Sequence, residues 1–197
     1  MGKRIKFMAI YLTAFYLPYF LCLSAKFDIL HISLSRIGWR YDGVLFLWIY
    51  GALTIPFLLF ELFTYARYSA DVRPQIKIAA CMGCALLCGG ILIPYRQGDA
   101  NVLLMLHRIA CNAGALILLF LIAYLLFKYC EANRKKKNLC IALNIFYCIF
   151  LGAFIQSYFT LGTTAVFEVA TSYVNLIILF LLNLLCYRTK KQNAAGK

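Results

Sequence analysis

Residues 102–127 read VLLMLHRIACNAGALILLFLIAYLLF. Arg108 is the only permanent charge in the run. The run exceeds the roughly 20 apolar residues that a helix needs to cross a bilayer at about 1.5 Å per residue. In hydrocarbon a backbone has no water to bond, so only helices and closed barrels cross. Barrel strands of about ten residues alternate apolar with polar side chains, and this run is continuous. It predicts a transmembrane helix long enough to tilt or project from the bilayer.

Working outward, five further apolar runs occur near residues 7–23, 44–63, 78–93, 139–159 and 165–187. The reading is therefore all-α: one integral membrane domain over residues 1–197, a bundle of six transmembrane helices. The run at 78–93 is short for a span unless it extends at either end. Composition agrees, since 64% of the 197 residues are hydrophobic, 14% are charged and mean hydropathy is +0.81. A soluble chain is closer to about 45–50% apolar and about 25% charged. A soluble enzyme, a disordered regulator and a nucleic-acid-binding domain are excluded on that ground. The first run reads as a retained span, not a cleaved leader. It is long, contains Pro18 and ends Leu-Ser-Ala-Lys without a small-x-small site.

The net charge of +13 is unevenly placed. Fifteen of the 20 basic residues fall before the first run, in the second and fourth connections or after the last run; the other five are Lys26, Arg36, Arg40, Arg96 and Arg108. Loops rich in Lys and Arg stay in the cytoplasm. The expected topology has both termini cytoplasmic, in the plasma membrane. Membrane lipids are expected partners, a membrane protein is a further candidate and nucleic acid is not. No run beyond the spans is long enough for a soluble catalytic domain.

None of the nine cysteines falls in an expected outer loop, so no structural disulfides are expected. Cys81-Met-Gly-Cys84 has redox spacing and Cys88 follows one turn later. Thiolates are costly inside hydrocarbon, and small residues such as Cys, Gly and Ala let helices approach closely. Packing is the favoured role, and no cofactor is expected.

The outer side collects the ionisable residues with the most chemistry. The first outer loop carries His31, Arg36 and Asp42, the second Arg96 and Asp99, and the fourth run opens on His107 and Arg108. These seven are the candidate ligand-binding residues. An arginine makes paired, charge-assisted bonds to anions, so an anionic lipid headgroup or a small carboxylate is the expected ligand. An ion-paired lid without a ligand is the structural alternative. Two histidines with Asp42, Asp99 or Glu168 are also the raw material for a metal-dependent hydrolase, although no catalytic or metal residue is assigned. Alternation over residues 30–35 suits a short strand or an interfacial helix equally. Asp42 is placed to cap the second run, and Glu61 to meet Lys77 or reach toward the inner surface.

The segment Ile32-Ser33-Leu34-Ser35-Arg36-Ile37-Gly38, with Phe46, Ile91-Leu92-Ile93-Pro94 and Leu106-His107 further on, resembles the pattern of the DRAM/Sfk-type membrane proteins and their uncharacterised bacterial relatives. The acidic residue frequent before the loop glycine in that pattern is replaced here by Arg36 and Ile37. The resemblance implies six spans, a noncytoplasmic polar group and a lipid-related or regulatory role. Size and inward termini also look like the binding subunit of an energy-coupling-factor importer. That subunit or another small-molecule transporter is the alternative, and lacking a nucleotide loop it requires a partner or a gradient.

Overall fold

The computed structural model describes residues 2–67, 73–93, 102–133, 137–160 and 164–195. All regular structure among them is helical: α1 (Gly2–Tyr11), a π-helical segment (Leu12–Tyr16), α2 (Leu17–Lys26), α3 (Leu34–Arg40), α4 (Val44–Ala66), α5 (Arg73–Leu92), α6 (Val102–Ala132), α7 (Lys137–Thr160) and α8 (Ala165–Ala195). Six lengths are long and apolar enough to span a bilayer, with α1, the π segment and α2 acting as one. The six runs of the sequence correspond to them in order. The chain is an all-α, six-span membrane protein.

The helices extend past the apolar runs. The short third run gains a turn because Arg73 and Pro74 open α5 ahead of its apolar part. Proline suits a helix start, where its missing N–H has no intrahelical partner. The Arg73 guanidinium Nε donates to the Ala66 carbonyl at 3.0 Å, tying α5 to the end of α4.

The tightest helix pair is α5 with α6; α4 packs on α5 and α8, and α7 rests mainly on α6. Glycines explain the first. A Cβ at Gly114 would lie 2.8 Å from the Gly83 carbonyl oxygen and 2.9 Å from the Leu87 nitrogen. Two backbones meet there, as small residues permit in a membrane. The first span leans on α4, with Tyr11 stacked on Phe57 at 4.3 Å and the Tyr16 hydroxyl 2.7 Å from Thr54 Oγ1. The Tyr11 hydroxyl donates to the Leu53 carbonyl. That carbonyl lies one residue beyond the one Pro56 leaves without its helical donor. α8 is the most embedded span and α7 the least.

Of the strand and the helix that the pattern of residues 30–35 suits equally, the structure has the helix, over residues 34–40, capped where the Ser33 hydroxyl accepts from the Arg36 N–H at 3.3 Å. Glu61 is buried at 1% exposure and accepts from the Asn183 amide of α8, while the Lys77 Nζ lies over the Phe63 ring. All nine cysteines are free thiols. Cys81 and Cys88 are exposed while Cys84 is buried.

A cavity roofed by a short helix

Two segments cap one another at one end of the bundle. The first N–H groups of α8, which have no partner inside their own helix, donate to the preceding loop: Ala165 N to the Ile32 carbonyl at 2.8 Å and Val166 N to the Ile29 carbonyl at 3.2 Å. In return Glu168 of α8 accepts from the Leu34 N–H at 3.1 Å, at the start of α3. Thr164 Oγ1 accepts from Phe167 N at 3.4 Å and closes the α8 terminus. This exchange holds α3 across the end of the bundle.

His107 secures the far side of α3. Its Nε2 is 2.9 Å from Ser35 Oγ, and its Nδ1 lies 2.7 Å from the Gly90 carbonyl and 3.0 Å from the Ile93 carbonyl. A carbonyl only accepts, so Nδ1 carries a hydrogen. One imidazole joins α3, the end of α5 and the start of α6. It is 3% exposed.

Beneath α3 lies a cavity of about 440 Å³ among α4, α5, α6, α7 and α8. Near α3 Tyr50 and Ser172 of its lining share a hydrogen bond and Tyr50 Oη also donates to the Glu168 carbonyl at 3.2 Å. Asn175 lies deeper on α8, taking the Tyr147 hydroxyl at 3.0 Å and donating to the Thr171 carbonyl at 2.9 Å. The deep end is aliphatic, with Leu58, Leu118, Leu119 and Ile122. Leu58 is about 21 Å of helix from the start of α4. The cavity therefore runs from polar at the bundle end to apolar at the depth of a hydrocarbon core. Its α7 wall is Phe154 and Ile155, with Phe154 stacked on Phe167 of α8 at 4.9 Å.

The sequence candidates separate into distinct groups. His31 is exposed and pairs with Asp28 at 2.9 Å, an interaction that contributes little on a surface. Arg36 is half-buried on α3. Asp42 is exposed at a positive φ of 54°. Gly43 takes the cap position of α4 without a side-chain bond, so the expected Asp42 cap is not formed. Arg108 is exposed on α6, and Arg96 and Asp99 lie outside the described residues. His107 and α3 come together through Ser35, while His31 belongs to its own pair with Asp28. Leu34 and Ser35 border the cavity, and the five described candidates stand outside its lining. Among the described residues no three His, Cys, Asp or Glu side chains gather as a metal site.

Comparison with protein-family models, with curated proteins and with solved structures finds no match to this chain. Tyr50, Thr54, Thr171 and Ser172 of the lining were not singled out as site residues from sequence. Their signal is spacing: Glu168, Thr171, Ser172 and Asn175 recur at three- and four-residue steps on one face of α8.

Proposed function

We propose that the protein binds the chain of a membrane lipid in the cavity beneath α3, as a lipid-associated or regulatory protein of the plasma membrane with both termini in the cytoplasm. The observation that carries this reading is the cavity itself: about 440 Å³, polar below α3 and aliphatic at depth. Its volume falls within the range of about 300–1,000 Å³ usual for small-molecule sites. The polarity gradient parallels that of a lipid entering from one leaflet. The resemblance of residues 32–38 to the DRAM/Sfk-type proteins points toward the same lipid-related role. The orientation is supported by the uneven placement of Lys and Arg.

The test is retention of lipid by the full chain in a mild nonionic detergent, read by native mass spectrometry and by extraction. Ala115 lines the cavity, so Ala115→Phe fills it. Wild type is expected to carry lipid at near one per chain, and the variant at least about tenfold less, equivalent to about 1.4 kcal/mol. Equal occupancy in both, or none in wild type, overturns the reading.

A further inference from the structure

We infer that Cys130 and Cys140 form a peroxide-sensitive dithiol, which closes into a reversible disulfide joining α6 to α7. The inference is independent of the lipid cavity. On α6 the cavity reaches Ile122, about 12 Å of helix short of Cys130.

Position is the first observation. The apolar run of α6 ends at Phe127, so Cys130 stands just past it, at the end of the bundle away from α3. Cys140 lies in the first turn of α7, which opens at Lys137. Two thiols from consecutive spans therefore meet at one end of the molecule, within reach of water.

Mutual geometry is the second. Each thiol reaches across to the other segment. Cys130 Sγ donates to the Cys140 carbonyl at 3.7 Å, and Cys140 Sγ donates to the Asn133 carbonyl, just past the end of α6, at 4.0 Å. The two thiols also lie within hydrogen-bond reach of one another. A disulfide needs side chains that face each other across a short gap, and this reciprocal arrangement supplies them. The Asn144 amide holds the pair in register. Its Nδ2 donates to Cys130 Sγ at 3.0 Å and to the Cys140 carbonyl at 2.9 Å. A disulfide here would tie the least embedded span to the helix it chiefly rests on.

Exposure orders the chemistry. Cys130 is half-buried and Cys140 is 5% exposed, so Cys130 meets the oxidant and Cys140 resolves. Cys130 releases its proton to water, and its sulfur attacks one oxygen of hydrogen peroxide. The O–O bond breaks, leaving a sulfenic acid on Cys130, and the hydroxide takes up a proton to leave as water. The Cys140 sulfur, losing its own proton, then attacks the Cys130 sulfur. The S–O bond breaks, the S–S bond forms and a second water leaves. The two thiols give up two electrons and one peroxide becomes two waters. In the cytoplasmic orientation proposed above, such a bond is transient, because the thiol pools there reduce it again by exchange.

The experiment treats the reduced full chain, purified in nonionic detergent, with hydrogen peroxide. Remaining thiols are blocked with N-ethylmaleimide and the digested peptides are mapped by mass spectrometry. The native chain should yield a linked Cys130–Cys140 peptide as its main disulfide, lost on treatment with dithiothreitol. In Cys140→Ser, Cys130 should be trapped as its sulfenic acid by dimedone. In Cys130→Ser, dimedone labelling of Cys140 should be at least about tenfold lower, since reactivity follows access. Absence of the linked peptide overturns the inference, as does its appearance only after denaturation. Preferential linkage of Cys81 to Cys84 overturns it too. These three outcomes are read on the native chain and need no variant. Stronger dimedone labelling of Cys140 than of Cys130 overturns the order of attack.

Discussion

At Gly114 one missing carbon sets how closely two spans approach. The Cβ of Gly114→Ala would fall against the Gly83 carbonyl and the Leu87 backbone nitrogen, neither of which swings aside like a side chain. Separating α5 and α6 to admit it loses packing along both, so the substitution should cost about 1–3 kcal/mol. Gly152→Ala meets nothing within 4 Å and should gain about 0.5–1 kcal/mol from helix propensity. Reversible unfolding of the two variants in mixed micelles checks this; equal stabilities would refute the crossing. Asn183 makes a comparable point with polar chemistry. Its amide donates to both the side chain and the backbone carbonyl of Glu61, at full burial. Asn183→Leu should destabilise by about 1–2 kcal/mol, near the upper end for interhelical hydrogen bonds in membranes. The same unfolding assay reads it, and a loss below about 0.5 kcal/mol would show that other groups replace the amide. From sequence, Glu61 stands near the inner end of its run, where depth alone offers Lys77 or the inner surface. Depth is written in the chain, whereas the rotation that turns Glu61 toward α8 depends on how α4 and α8 pack.

As an element, α3 is too short to hold itself. Its seven residues stay helical through the Ser33 cap, the Glu168 carboxylate, the Ser35–His107 contact and Gly43. A Cβ on Gly43 would lie 2.7 Å from the Ile37 carbonyl oxygen, so Gly43→Ala forces α3 off the start of α4. Hydrogen exchange of the 34–40 amides should therefore accelerate in Ser33→Ala and in His107→Phe by about tenfold each, or about 1.4 kcal/mol of local opening. Gly43→Ala should exceed both, and α6 amides away from His107 should hardly change. Exchange unchanged in all three variants would mean that α3 is held by other contacts. Residue pattern announces this element only in part. Ser33 through Arg36 contains the cap, but alternation over residues 30–35 fits a strand equally well. The deciding partners, Glu168 and His107, lie more than 70 residues away in the chain. The cavity was hidden for a related reason: its floor is ordinary Leu and Ile, and only the gap between helices distinguishes it from a packed core.

For the whole molecule, length and polarity were legible because each span must satisfy its own backbone in hydrocarbon, so a continuous apolar run is enough to define it. Ends were less legible, since helices continue into water: α6 runs on to Ala132 and α8 to Ala195, past the apolar runs. Orientation relies on another part of the code, the charges outside the spans. Six spans put both termini on one side, and basic residues concentrate with them: Lys6 near the first span, Arg67 and Arg73 between α4 and α5, Lys128 at the end of α6 and Arg188 in the last turns of α8. In the proposed orientation these clusters face the anionic cytoplasmic leaflet, where each base near the surface contributes about 1 kcal/mol. Two exposed positions report the outcome. Leu30 lies in the loop before α3, and Arg67 just after α4 at the opposite end of that helix. In a background with the native cysteines replaced, Leu30→Cys in intact cells should react with a membrane-impermeant maleimide, and Arg67→Cys should react only after permeabilisation. The reverse pattern would invert the orientation and place α3, with its cavity, on the cytoplasmic side. Labelling of both from outside would contradict the six-span path, because α4 would not separate the two positions.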